Sequence, residues 1–327
     1  KLVFGDTVGP ERFVIHQTPG GTGALRVAAG FLASELGVSR TESGISQPIR
    51  VWFPTPTWAN HHSVFSSEGL SIESYRYLAA DRTSFDLEGM MQDLRSKTAP
   101  GDAVLLHACC HNPTGVDPSE AQWGEIAALL AEKQLLPVID FAYQGFGDGL
   151  EEDATAIHRI LGCCEEAIVC SSFSKNFGLY SERVGAISLV AAEESAARAV
   201  QSQLKRVVRS NYSNPPRHGG AIVATVLADT ELTKQWHQEL ADMRDRIKHL
   251  RSQFVERMKS AGKGHDFGFL LSQSGMFSYS GLSPMQVDRL KSEFGIYIVG
   301  SGRINVAGMV ENRMDQLCDA VAKVIES

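Results

Sequence analysis

No apolar run in the 327-residue chain approaches the roughly 18 residues that span a bilayer, so no transmembrane helix is expected. Lysine and arginine nowhere form a run, and the formal charge is −7. The electrostatic footprint of a nucleic-acid or anionic-membrane binder is therefore missing, and the expected partners are small molecules or another subunit. Cysteine is scarce: Cys109–Cys110 and Cys163–Cys164 are adjacent pairs, joined by Cys170 and Cys318. That spacing does not make a disulfide framework and fits a reducing compartment, so a cytoplasmic location is expected. The chain starts at Lys1 rather than Met, and residues 1–10 carry no signal-peptide pattern. Hydrophobic residues make up 43% and charged residues 21%, which excludes disorder and collagen-like repeats, and the length suggests two domains.

Two familiar ligand motifs are also missing. Gly20-Gly-Thr-Gly23 is not followed by Lys-Ser/Thr, and it lacks the spacing of a dinucleotide fingerprint. His107, Cys109, Cys110 and His111 crowd into five residues, whereas zinc sites draw ligand pairs from separate segments, so no metal is expected.

What is present centres on Cys170-Ser-Ser-Phe-Ser-Lys-Asn-Phe-Gly-Leu-Tyr-Ser-Glu-Arg-Val-Gly185. The apolar run 167–170 reads as a strand and 186–190 as another, which puts Lys175 beyond a strand's carboxyl end, where open α/β sheets bind ligands. Ser172, Ser174 and Arg183 offer two hydroxyls and a planar cation, a set suited to a phosphate dianion near the lysine. The glycine-rich turn at Gly20 feeds a helix through Leu25, Ala28, Leu32 and Leu36, and free N–H groups at a helix start attract phosphate. Strands are expected at 51–53, 103–106 and 135–139, delivering Trp58 and His61, then Asn112, then Asp140 and Tyr143. A carboxylate ending an apolar strand calls for a partner, and a cationic ring nitrogen would serve.

Residues 39–48 read as a surface loop, 119–133 as an amphipathic helix, and 207–216 as a polar loop carrying Arg209. Apolar residues at 232, 236, 240, 243, 247, 250, 254 and 258 predict one long helix over 230–261. The alternation of strands and helices predicts a mostly parallel sheet flanked by helices in a large domain, 1–242, with a smaller α/β domain, 243–327, beyond it. In the smaller domain, strands are expected at 276–279 and 296–299, a helix from Ser283 to Gly295, and a last helix from about Glu311.

Gly20-Gly-Thr22, Pro56-Thr-Trp58, His111-Asn-Pro-Thr-Gly115, Asp140-Phe-Ala-Tyr143, Ser172-Phe-Ser-Lys175, Arg183 and Gly302-Arg303-Ile-Asn305 occur in one order. Together they resemble the fold type I pyridoxal-phosphate aminotransferases, and most of all the aspartate aminotransferase family. The resemblance implies pyridoxal 5′-phosphate held as a Schiff base on Lys175, which would also act as base at Cα. Asp140 would pair with the pyridine nitrogen with His61 behind it, Trp58 would stack on the ring, and Asn112 and Tyr143 would hold the phenolic oxygen. Gly21, Thr22, Ser172, Ser174 and Arg183 would take the phosphate. Arg303 would clamp the substrate α-carboxylate beside Trp58, Asn112 and Phe277, and Arg209 would reach the neighbouring subunit of a homodimer for a distal carboxylate. The implied activity is ping-pong transfer of the amino group from L-aspartate to 2-oxoglutarate, giving oxaloacetate and L-glutamate. An aromatic or dual-specificity aminotransferase is the alternative, and a non-catalytic relative a remote one. Members of the family carry further chain at the start, including an arm that packs on the other subunit, which these residues lack.

Overall fold

The computed structural model describes residues 1–36, 49–260 and 266–325, so the loop expected at 39–48 lies outside the described residues. In chain order the elements are β1 (Phe13–Pro19), α1 (Gly20–Phe31), β2 (Arg50–Thr55), α2 (Asn60–Ser66), β3 (Ser71–Arg76) and α3 (Leu87–Lys97). Next come β4 (Ala103–His107), α4 (Glu120–Glu132), β5 (Leu136–Phe141), α5 (Thr155–Leu161), β6 (Ala167–Ser172) and β7 (Val184–Val190). The remainder is α6 (Glu194–Asn211), α7 (Arg217–Ala228), α8 (Thr230–Ser260), β8 (Phe277–Tyr279), α9 (Pro284–Phe294), β9 (Arg303–Asn305) and α10 (Met314–Ile325).

The first seven strands form one sheet in the order β1-β7-β6-β5-β4-β2-β3. The central strands β4, β5 and β6 are apolar almost throughout because both sheet faces are covered. Alternate residues serve opposite faces: Leu105, Val138 and Ile168 pack with α1, whereas Leu106, Ile139 and Val169 join the cluster that continues through Trp236 and Leu250 of α8 to Met314 of α10. Parallel pairing of β4 with β5 and β5 with β6 sets His107 opposite Asp140, and Asp140 opposite Cys170. Three strand ends therefore deliver their last side chains to one edge of the sheet.

Four expectations need correction. The strand over 186–190 is antiparallel to both neighbours, β1 and β6, because the connection 173–183 holds no helix to carry the chain back across the sheet. Arg209 lies in the last turn of α6 rather than in a loop, since Leu204 and Val208 anchor one face of the helix in the core through that turn. Residues 296–299 form no strand; Tyr297 is 76% exposed, and the partner of β8 is β9. On α8, Leu232 and Met243 stand 40% and 37% exposed, outside the buried stripe.

The helix boundaries have local causes. Ser119 with Gln122 and Ser283 with Gln286 form capping boxes at the starts of α4 and α9, and Gly295 ends α9 at φ 67°. Gly185 of β7 is a different constraint, because a Cβ there would lie 2.4 Å from the Gly20 carbonyl carbon, where β7 presses on the start of α1. Gly185→Ala is expected to lower stability by about 1–3 kcal/mol through this backbone clash. Ser283→Ala, which removes a cap far from the sheet edge, should cost about 1 kcal/mol. Urea unfolding of the two variants beside the wild type measures both.

Candidate active site

The edge where β4, β5 and β6 end is built around Asp140. Its buried Oδ2 accepts a hydrogen bond from His61 Nε2 at 3.0 Å. His61, in the first turn of α2, has its Nδ1 2.8 Å from Thr57 Oγ1, which is also 3.2 Å from Nε2 of His107 at the end of β4. With neutral rings, His107 donates to Thr57, Thr57 to His61 and His61 to the carboxylate, which matches the only acceptor-only group at the chain's end. Burial by itself would raise the Asp140 carboxyl. The His61 hydrogen bond, with the Lys175 ammonium among the positive groups facing it, outweighs burial and brings it below the ordinary value, so it stays ionised. Burial, helped by His61 and opposed by Asp140, pushes His107 down to about 3, which keeps its ring neutral.

Lys175 lies beyond β6 with Nζ 4.2 Å from the centre of the Tyr143 ring. Burial holds its pKa below the usual lysine range; Asp140 opposes the shift and Arg183 adds to it. Next to it, Arg183 Nη1 donates to Ser174 Oγ at 3.4 Å and to the Tyr180 carbonyl at 2.8 Å. Gly20 adopts φ 72°, and a Cβ on it would fall 2.4 Å from Arg183 Nη2, while one on Gly21 would fall 2.9 Å from Ser172 Cβ. Bare backbone at the start of α1 therefore faces two serines and a guanidinium, which together cradle an anion.

On the opposite wall Arg303 Nη1 donates to Asn112 Oδ1 and Asn112 Nδ2 donates to Tyr143 Oη, both at 3.3 Å. The Arg303 guanidinium stacks on Phe277, with Cζ 4.5 Å from the ring centre. Burial, then the charges of Asp140 and Cys110, push the Tyr143 hydroxyl above its ordinary value, so it remains a donor.

These groups line one cavity of about 310 Å³, which takes in Gly21, Thr22, Trp58, Asn112, Asp140, Tyr143, Ser172, Ser174, Lys175, Arg183, Phe277 and Arg303. His61 sits behind it. Arg209 does not reach it: the side chain is exposed, bonds to Ser213, and lines a separate hollow of about 670 Å³ with His16, Gln17, Lys205 and Arg206. Three contributors carried no role in the sequence reading. Tyr180 lines the cavity from within the lysine motif, where its position was the available signal. Thr57 relays between two imidazoles and His107 completes the chain, contacts that depend on the long-range pairing of β2 with β4. His111 stacks on Tyr77 at 3.9 Å, and its Nδ1 lies 2.8 Å from Thr114 Oγ1.

The set fits pyridoxal 5′-phosphate. A depressed amine can bond an aldehyde, an ionised carboxylate suits a protonated ring nitrogen, and the glycine–serine–arginine cradle suits a phosphate. The charges around Lys175 make a signed prediction for the cofactor-free chain. Asp140→Asn removes the anion that opposes the shift, so the Lys175 titration moves to lower pH. Arg183→Gln removes a repelling cation and moves it to higher pH. The rate of reductive methylation at Lys175, followed by mass spectrometry across pH, reads both directions.

Residues 10–321 match the family described as aminotransferase class I and II. An aspartate aminotransferase of Haemophilus influenzae is 48% identical over 327 residues, covering 99% of this chain and 80% of that protein. An aromatic-amino-acid aminotransferase of Pseudomonas aeruginosa is 46% identical over 315 residues, covering 96% and 76%. Among solved structures, an aromatic-amino-acid aminotransferase from Burkholderia pseudomallei covalently bound to pyridoxal phosphate matches with a TM-score of 0.93 at 46% identity, over 99% of this chain and 79% of that one. Aspartate aminotransferase from Saccharomyces cerevisiae cytoplasm matches with a TM-score of 0.93 at 35% identity, over 99% and 79%. With the motifs, the cavity and these likenesses in agreement, the chain belongs to the class I and II aminotransferases.

Proposed function

We propose that the chain is a pyridoxal-phosphate-dependent aspartate aminotransferase, moving the amino group of L-aspartate to 2-oxoglutarate by a ping-pong cycle that yields oxaloacetate and L-glutamate. The observation that carries this reading is the convergence of the Lys175 amine, the ionised Asp140 and the Arg303 guanidinium on one cavity. When bound, the cofactor supplies an electron sink for the bonds at the amino acid's Cα. Asp140 holds a proton at the ring nitrogen, with His61 orienting the carboxylate. Trp58 would lie against the ring, Asn112 and Tyr143 would offer donors to its phenolic oxygen, and Gly21, Thr22, Ser172, Ser174 and Arg183 would take the phosphate. Arg303 binds the α-carboxylate, kept in place by Phe277 and Asn112. Lys175, once free and uncharged, takes the proton from Cα.

A homodimer with shared sites belongs to the same reading. The α7 segment Ala-Ile-Val-Ala-Thr-Val-Leu-Ala is apolar, yet only Gly219 and Val223 of that helix are buried and Leu227 is 39% exposed. Such a face suits a second copy, and it would let Arg209 of the partner subunit meet the distal carboxylate. A division near residue 242, with α8 joining a larger and a smaller unit, fits the separate two-stranded sheet β8–β9. Six free cysteines suit a reducing compartment such as the cytoplasm. A second reading, an aromatic or dual-specificity aminotransferase, is favoured by the 46% identity to an aromatic relative and by an exposed Arg209 side chain that bonds to the neighbouring Ser213. The intact Lys175, Asp140 and Arg303 argue against a non-catalytic relative.

The test is a half-reaction. The chain loaded with pyridoxal phosphate and given L-aspartate alone should form one equivalent of oxaloacetate per chain and turn over further only after 2-oxoglutarate is added; no oxaloacetate would reject the reading. Turnover of L-phenylalanine faster than that of L-aspartate would transfer the assignment to the second reading. Arg303→Lys, which loses the two-pronged carboxylate contact, should raise KM for L-aspartate by roughly 10- to 100-fold, the value of a hydrogen bond to a charged group. Leu227→Lys should shift the chain toward monomer in sedimentation and reduce aspartate turnover in parallel.

A further inference from the structure

Arg251, midway along α8, is 3% exposed, and burial pulls its pKa below the usual arginine value, with Cys110 and Asp117 opposing. Burying a guanidinium is costly, and an apolar side chain of similar volume would fill the space more cheaply if packing were the whole purpose. The side chain instead makes directional contacts: Nη2 donates to the Gly275 carbonyl at 2.7 Å and reaches Ser278 Oγ at 3.5 Å.

Gly275 and Ser278 belong to the segment that forms β8, which pairs Ser278 with Ile304 and Tyr279 with Arg303. That segment is seated directly on the 110–115 loop that carries Asn112. A Cβ on Gly275 would fall 2.4 Å from Cys110 Cβ, one on Gly115 would fall 2.5 Å from the Phe277 carbonyl, and Ser274 N donates to Gly115 O at 2.7 Å. Because two glycines let the segments meet this closely, a small shift of one would carry Arg303 away from Asn112.

We infer that Arg251 is a positioning residue that, through the Gly275 carbonyl and Ser278, seats the β8–β9 ribbon against the Asn112 loop and so fixes where Arg303 meets a carboxylate. This rests on the reading of Arg303 as the carboxylate clamp. Arg251 touches neither cofactor nor substrate; its effect is on geometry at a distance, where a misplacement near 1 Å is enough to weaken a site.

The test compares wild type, Arg251→Met and Arg251→Lys, each as the full chain with pyridoxal phosphate. Arg251→Met should raise KM for L-aspartate, and weaken succinate binding in calorimetry, by roughly tenfold each. Its kcat should change far less and its affinity for pyridoxal phosphate should equal that of the wild type. Arg251→Lys, which keeps a donor, should fall between. If Arg251→Met is insoluble, the same two affinities are decided on Arg251→Lys. Unchanged KM and succinate affinity, or a loss confined to melting temperature or cofactor affinity, would overturn the inference. A wild-type chain that binds succinate but transfers no amino group refutes the aminotransferase reading and leaves the Arg251 comparison intact, whereas one that binds none overturns both.

Discussion

A carboxylate kept ionised inside the protein is the constraint on which the site depends. Asp140 is 8% exposed at the end of an apolar strand, where burial alone would neutralise it. The His61 hydrogen bond, together with the positive charge of Lys175, reverses that outcome, and His61 is aimed by Thr57, which is steadied in turn by His107. Each link comes from a different element: α2, the turn after β2, and the end of β4. The parallel sheet is what brings these ends together, so the charge state of one carboxylate is a property of the whole sheet.

The same anion acts on Lys175. Burial lowers the amine's pKa and Asp140 partly restores it, so the two groups are poised against each other across the cavity. A lysine alone in an apolar pocket would be uncharged but without an anion to organise a cationic ring, and a carboxylate alone would provide no nucleophile. Arg183 adds a second charge that favours the free amine while facing the backbone of Gly20 and Gly21. Glycines there let the guanidinium approach the start of α1, where any larger residue would occupy the space.

Much of this was legible because its causes are local. The runs that became β4, β5 and β6 are apolar enough to announce buried strands, and Asp140 near the end of β5, with Asn112 and Lys175 in the segments beyond β4 and β6, lines the same cavity. The long stripe of α8 and both capping boxes are equally local. What was hidden depends on distant partners. The direction of β7 follows from the shape of the 173–183 connection, and β9 is three residues whose strand character comes from pairing with β8. The edge strand β1, with its polar stretch His16-Gln17-Thr18, was not anticipated and takes its strand character from pairing with β7. Periodicity placed Leu232 and Met243 inside, but the stripe records which residues are apolar and not which stretch of helix is covered.

The most direct measurement of the central claim is to reduce the pyridoxal-phosphate-loaded chain with borohydride and map the modified residue by peptide mass spectrometry. The account predicts a single pyridoxyl-phosphate adduct on Lys175, largely lost when L-aspartate is added before reduction because the cofactor is then no longer bonded to the lysine. An adduct on another lysine, or one on Lys175 that L-aspartate leaves untouched, would contradict it.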